Sequence, residues 1–233
     1  MQLSSSTTAL PFLKLIGEHG NIILASASPR RKELLTLMGF QKFLTLKSDF
    51  AEDLDQSKYP LAESYCLATA IAKCADVVTN LEKAGGHQQK GTILIGADTI
   101  VEINGEILEK PGDVNEAYKM ISSLSGQTHI VHTAVVIFGN GPIDVTVGLA
   151  VGPLINIKTF VESTSVKFVE LGEADKIAYI ASREGFDKSG GYGIQGLGGQ
   201  MVEKIDGCYF NVMGLPISRL SKELAVLHNL NKI

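Results

Sequence analysis

The amino-acid sequence predicts an α/β protein: a mixed β-sheet flanked by helices. Three observations carry this. Short apolar runs suited to buried strands alternate irregularly with amphipathic stretches of helical period. An Asn104-Gly105 pair between two such runs is the strongest short hairpin signal, so at least one strand pair is antiparallel. The composition, 45% hydrophobic and 20% charged over 233 residues, describes a soluble globular chain with a sizeable core, as one large domain or two lobes sharing a sheet.

The elements follow in order. Residues 1–20 read as a flexible leader, since Met1 to Ala9 is rich in Ser and Thr and lacks the basic start of a signal peptide. Ile22 to Ala25 is a buried strand. Ser28 is a natural N-cap with Pro29 at the first helical position, and Leu34, Leu35 and Met38 supply that helix's apolar stripe. A helix from Leu61 to about Thr79 places Leu61, Tyr65, Ala68, Ile71, Ala75 and Val78 on one face. A polar linker spans Glu82 to Lys90. Thr92 to Gly96 is a strand, the chain continues as Ile100 to Ile103, and Glu106 to Lys110 returns. Asp113 and Glu116 form a capping-box pattern ahead of Ala117, Met120, Ile121 and Leu124, and Gly126 closes that helix. Strands at His129 to Phe138 and Ile157 to Phe168 enclose a loop or loose hairpin from Gly139 to Pro153. Glu173 to Ser182 is a short helix, Lys188 to Gln200 a glycine-dense loop, Met201 to Ile205 a strand, and Pro216 opens a last helix carrying Ile217, Leu220, Leu224 and Leu227.

Several function classes are excluded at this level. A net charge of -4 argues against broad binding to polymeric nucleic acid. No apolar run reaches membrane-spanning length. Cys66, Cys74 and Cys208 have no metal-type spacing and read as reduced thiols of an intracellular protein. His129 and His132, three apart on a strand, face opposite sides and make no metal pair; a structural role is the simpler reading for each.

Four segments could carry chemistry. Arg30 and Arg31 lie in a helix's first turn, where the macrodipole is already positive and costs about a few tenths of a kcal/mol each. With Ser26, Ser28 and the free N–H groups of a helix start, they describe an anion site, or else two side chains pointing into water. Counting outward from the Asn104-Gly105 turn sets Asp98 opposite Pro111 and Thr99 opposite Lys110, so Asp98 and Lys110 should lie close at the ribbon's open end. That is a surface ion pair worth at most ~1 kcal/mol, or half of a phosphate-handling site. Asp49, Glu52, Asp53 and Asp55 are a solvated acidic loop, or carboxylates for a hard cation that also takes substrate phosphates. The loop from Asp187 to Gly196 formally contains G-x-G-x-x-G but follows no strand and opens no good helix, so it is not a dinucleotide fingerprint. It offers approachable backbone with Lys188, Tyr192 and Gln195, whose carboxamide matches the donor and acceptor edge of a pyrimidine.

Together these segments resemble the Maf family of nucleoside triphosphate pyrophosphatases, from about Ile22 to Leu224. The resemblance rests on Leu24 to Arg31, Gly96 to Thr99, Glu109 to Pro111, Ser125-Gly126 with His129 and Thr133, the Asp187 to Gly196 loop, and Asn211 to Pro216. It implies a Maf/ITPase-like fold, with an elongated twisted sheet and a central cleft between two lobes of one domain over residues 21–233. It implies cleavage of a nucleoside triphosphate to the monophosphate and pyrophosphate, with a divalent cation such as Mg2+, Mn2+ or Co2+. Asp98 would be the catalytic base; Ser28, Arg30, Arg31, Lys73 and Lys110 would bind phosphate; Glu52 with Asp98 would hold metal; Arg30, Thr99 and Gln195 would set specificity. Those three look like the branch acting on dTTP and UTP rather than on 7-methyl-GTP. A homodimer is implied by the resemblance alone, and a cytoplasmic setting is expected from the reduced thiols. Ser189 stands where many members carry alanine, a change expected to be harmless, and the Gly139 to Lys158 region is longer than in compact bacterial members. The alternatives are a non-enzymatic nucleotide- or partner-binding regulator of cell division, and a pyrophosphatase for another modified or purine nucleotide.

Overall fold

Three long strands form the spine of a mixed sheet: β3 (Ile93–Ile103), β5 (Thr128–Gly139) and β7 (Leu154–Phe168). The computed structural model describes residue 10 and residues 22–84, 92–139, 150–151, 154–230 and 233. The expected leader apart from Leu10, the linker beyond Ala84, and most of the long 139–158 region lie outside the described residues. β3, β5 and β7 run antiparallel in sequence, and β1 (Ile22–Ala25) and β2 (Leu44–Thr45) extend the sheet with parallel pairings beside β3. β4 (Glu106–Leu108) pairs with β3, while β6 (Ala150–Val151) and β8 (Val202–Asp206) pair with β7.

Six helices cover this sheet among the described residues: α1 (Pro29–Leu37), α2 (Ala62–Lys83), α3 (Val114–Leu124), α4 (Glu173–Ala181), α5 (Tyr209–Met213) and α6 (Ile217–Asn229). Strand alternation sorts the core by face. Ile93, Ile95 and Ala97 pack with Leu34, Leu35, Leu220 and Leu224 of α1 and α6. Leu94 and Ile100 pack with Cys66, Cys74 and Val77 of α2. A third cluster, with Val101, Ile103, Ile121, Leu124, Phe168 and Tyr192, fills the other end of the sheet.

The local signals act as their chemistry dictates. Ser28 caps α1 by accepting from the Arg31 N–H, with Pro29 opening the helix. Asn104 (φ 52) and Gly105 (φ 80) adopt the left-handed turn that pairs Ile103 with Glu106. Asp113 accepts from the Glu116 N–H at 2.8 Å, while Glu116 reaches back to the Gly112 N–H at 2.7 Å, one residue short of a full capping box.

Two expectations are corrected. β3 is one unbroken strand across Ala97 to Thr99. The buried stripe of α2 is Tyr65, Cys66, Thr69, Ala70, Cys74, Val77 and Val78, while Leu61 is exposed and Ile71 only partly buried. Small side chains let this helix press onto the sheet: a Cβ on Gly96 would sit 2.0 Å from Cys74 Sγ. Close approach, rather than side-chain size, chooses the face. β2 and α5 had no counterpart in the sequence reading.

His129 is structural. Its Nε2 lies 2.8 Å from the Tyr192 hydroxyl, its ring packs edge-on against Phe168 and Tyr192, and it is 1% exposed. Burial pushes its pKa down to about 4. The unfolded chain, with an ordinary histidine near 6.5, binds the proton first, so stability is lost as pH falls from about 6.5 towards 4, by about 3 kcal/mol from this group. Denaturant titrations at pH 7 and pH 4.5 should show that loss, and His129→Phe should remove its share of the slope. An identical slope in the variant would rule this out. His132 sits between Ser163 and Glu102, each at 2.8 Å.

Candidate functional site

The site begins as an interruption in the pairing of β3. One edge of the strand is fully occupied by β5, from Ile93 to Glu102. On the other edge β1 covers Ile93 to Gly96 and β4 covers Val101 to Ile103. Ala97 to Ile100 therefore lie in a gap between two neighbours. Asp98 and Thr99 occupy it, and adjacent strand residues point to opposite faces. Asp98 turns towards α2 and Thr99 towards α1.

On the Thr99 side stands the corner between β1 and α1. Arg31 is locked in place: Nε donates to the Gly214 carbonyl at 2.8 Å, Nη1 to Ser26 Oγ at 3.3 Å, and Nη2 to Thr99 Oγ1 at 2.9 Å. Burial pulls its pKa down, opposed first by the charge of Asp98, yet a guanidinium stays protonated. The corner's backbone is less free than the sequence implies, because Ser26 Oγ takes the Ser28 N–H and Ser28 Oγ takes the Arg31 N–H. The positive charge at this corner is carried by Arg31 rather than by bare N–H groups. Arg30 is held 3.4 Å from Asp187 of the glycine-dense loop.

On the Asp98 side the cation is Lys73. Its ammonium lies 2.7 Å from Asp98 Oδ1 and 2.6 Å from Glu52 Oε2, with the Lys73 and Asp98 side chains 14% and 9% exposed. Glu52 holds φ 56, a left-handed conformation that costs a non-glycine residue about 1–3 kcal/mol and brings its carboxylate to this point. Burial works to raise the Glu52 pKa, but the hydrogen bond and charge of Lys73, with Lys110, outweigh it and hold the carboxyl low. The direct Asp98–Lys110 partnership expected from the hairpin does not form. The ladder ends at Val101 opposite Leu108, because Pro111 cannot extend it and Gly190 N–H takes the Glu109 carbonyl at 3.1 Å. Lys110 instead bridges to Glu52 at 3.5 Å. Glu52 links the two lysines, and Asp98 and Lys110 line the same cleft.

The glycine-dense loop closes the third side. Gly190 (φ 72) lies against Val101, where a Cβ would meet that side chain at 2.8 Å. Ser189 Oγ donates to the Thr99 carbonyl at 2.8 Å, so the serine anchors the loop to the gap in β3. Lys188 is tied to Asp187 at 2.6 Å and to the Glu184 carbonyl. Tyr192 borders the cleft, but its hydroxyl is spent on His129 inside the core. Gln195 is exposed at the rim, its Nε2 3.5 Å from Glu33.

The resulting cleft measures about 770 Å³, within the roughly 300–1,000 Å³ of small-molecule sites. It gathers Ser28, Arg30, Arg31, Glu52, Lys73, Asp98, Thr99, Lys110, Lys188, Tyr192 and Gln195 around one space. Sequence reasoning missed Tyr65 and Glu109, whose hydroxyl and carboxylate meet at 2.7 Å in the cleft wall. Glu109 adjoins Lys110 and Tyr65 lies two turns before Lys73, the only signals available. Thr69, one turn before Lys73, presents a buried hydroxyl without a partner in the same wall. Among the described residues no group of three or more His, Cys, Asp or Glu could hold a metal unaided. The thiols of Cys66 and Cys74 are inert: burial pushes Cys74 up to about 12 and Cys66 higher still. No described helix is long and apolar enough to cross a membrane.

Comparison with known proteins places this geometry. The family described as Maf-like protein matches residues 21–227. A human protein described as a probable bifunctional dTTP/UTP pyrophosphatase/methyltransferase is 40% identical over 210 residues, 90% of this chain; the chain spans 32% of that relative's length. dTTP/UTP pyrophosphatases of Carboxydothermus hydrogenoformans and Bacillus cereus are 40% and 43% identical over 203 residues, covering 87% of this chain and 96% and 93% of theirs. With a family match running from just before β1 into the last turn of α6, and relatives aligned along most of the chain, the chain belongs to the Maf-like protein family.

Proposed function

We propose that this chain hydrolyses dTTP and UTP to the nucleoside monophosphate and pyrophosphate, as the names of its relatives say of them. One observation carries the reading: a carboxylate, Asp98, stands in the open edge of β3 with one oxygen on Lys73, facing a cleft whose opposite wall is the arginine-bearing start of α1. In this reading Ser28, Arg30, Arg31, Lys73 and Lys110 bind the phosphates. Arg31 has five N–H donors, three of them committed to the protein, so one hydrogen on each Nη is left for a phosphate oxygen. Asp98, whose Oδ1 is on Lys73 and whose Oδ2 meets the Cys66 thiol only at 3.9 Å, takes the proton of the attacking water. The cations facing it neutralise the charge that gathers on the phosphoryl oxygens. Gln195 and Arg30, at the rim, would discriminate the base.

A divalent cation fits the donors present. Glu52 Oε2 and Asp98 Oδ1 converge on one cationic atom, and two hard carboxylates with substrate phosphates are a usual Mg2+ set. Glu52 and Asp98 would hold it. When bound, such an ion neutralises phosphoryl charge and lowers the pKa of coordinated water. We take residues 21–233 as one domain whose two lobes share the long strands. A cytoplasmic setting is supported by three free cysteines, and a homodimer by the family resemblance alone.

The test is pyrophosphate release from a panel of UTP, dTTP, CTP, GTP and ATP with Mg2+, Mn2+ or Co2+. Release from UTP and dTTP, abolished by a chelator, is expected; none from either would end the proposal. Gln195→Glu should shift preference away from UTP and dTTP by about tenfold or more, since a donor becomes a charged acceptor. An unchanged profile would remove Gln195 from base reading.

A further inference from the structure

Thr99 is one of three positions that the family resemblance links to substrate choice, but its hydroxyl proton and its main-chain carbonyl are both committed within the protein. Thr133 lies directly across the ladder on β5 and is fully buried. Its hydroxyl is 3.0 Å from the Asn211 carbonyl, which can only accept, so its one proton is spent there. Thr99 Oγ1, 3.0 Å from Thr133 Oγ1, must therefore donate to it. With that proton committed, Thr99 can meet Arg31 Nη2 only as an acceptor, at 2.9 Å. The main-chain carbonyl of Thr99 is taken by Ser189.

The circuit closes on itself. The Asn211 carbonyl also receives the Gly214 N–H at 2.9 Å, and the Gly214 carbonyl receives Arg31 Nε at 2.8 Å. Asn211 is anchored by its own Nδ2 to the Val131 carbonyl and to Thr164 Oγ1, each at 2.9 Å. Every proton in the line from Arg31 through Thr99 and Thr133 to Asn211 points one way, and the far end is fixed in the core.

We infer that Thr99 and Thr133 are positioning residues for the Arg31 guanidinium, and that Thr99 governs how the phosphates are gripped rather than which base is chosen. The inference rests on the reading of the cleft as a nucleoside triphosphate site, and assigns Thr133 a part in it. Thr133→Val keeps the shape and deletes the relay; Thr133→Ser keeps the hydroxyl.

Two readouts test it. In the free protein, 15N spectra of arginine should show slowly rotating, solvent-protected Arg31 Nη hydrogens in the wild type and Thr133→Ser, and fast-exchanging ones in Thr133→Val and Thr99→Val. In turnover, Thr133→Val should lower kcat/KM by about 10- to 100-fold, the cost of a misplaced rather than missing group. The loss should be equal for UTP and dTTP, with Thr133→Ser within about threefold of wild type and the Thr99→Val/Thr133→Val pair no worse than either alone. Should Thr133→Val not fold, the Thr99→Val spectrum decides the matter. Unchanged Arg31 signals in both valine variants, or a Thr99→Val enzyme that reorders its substrates, would overturn the inference. Absence of turnover in the wild type would instead strike the functional reading, while the free-protein spectra would still judge the positioning.

Discussion

Asp98→Asn should give a folded protein whose turnover of UTP is lower by about 10² or more. Asparagine keeps the shape of a side chain that is almost wholly enclosed. Removing its charge does not strand the neighbouring ammonium, because Lys73 keeps Glu52 at 2.6 Å. On the proposed reading, what is lost is the carboxylate that accepts the proton, along with half of the carboxylate pair suited to a cation. Pyrophosphate release and a thermal melt on one preparation check both halves of the statement. Near-wild-type turnover in a variant with an unchanged melt would take Asp98 out of the chemistry.

Lys73→Met should do the opposite to stability. Among the described residues the ammonium alone bridges the Glu52 and Asp98 carboxylates, and without it two anions share one place. Removing one partner of a buried ion pair costs about 3–5 kcal/mol. Glu52 is half-exposed and can swing into water, so a loss near the lower figure, about 3 kcal/mol, is expected. A divalent cation can take the vacated role. Mg2+ or Mn2+ should therefore raise the melting temperature of Lys73→Met well above its effect on the wild type, while turnover stays depressed by about 10² through loss of a phosphate-binding charge. A variant as stable as wild type and indifferent to Mg2+ would show that the pairing at this point is incidental.

The sequence was most readable where the deciding interactions are local. Ser28-Pro29 opens a helix and Asn104-Gly105 turns a hairpin because each acts within four residues, and both fall where their chemistry demands. The strands of the spine were visible as apolar runs for the same reason. Failures began where one element must meet another. Extending the hairpin count past Val101 predicted an Asp98–Lys110 pair, but the ladder's end is set by Pro111 and by a loop arriving from Gly190, neither visible from the turn. The true partner of Asp98 sits on α2, and its identity depends on how that helix rolls onto the sheet. That roll was misjudged because Leu61 and Ile71 are larger apolar side chains than Cys66 and Cys74, whereas Gly96 rewards the small residues. Thr133 and Asn211 entered the sequence reading only as members of short motifs. Their connection to Arg31 is a matter of proton direction, which no spacing encodes.

Because the acid and the anchor of the arginine are consecutive residues of one strand, the pleat itself indexes them to opposite walls of the cleft. Their Cα atoms are adjacent in one paired strand, so hinge movement or loop breathing does not separate the two positions. On the proposed reading the strand itself thus sets the reactive pair, and a change of nucleobase taste falls to Gln195 and Arg30 at the rim.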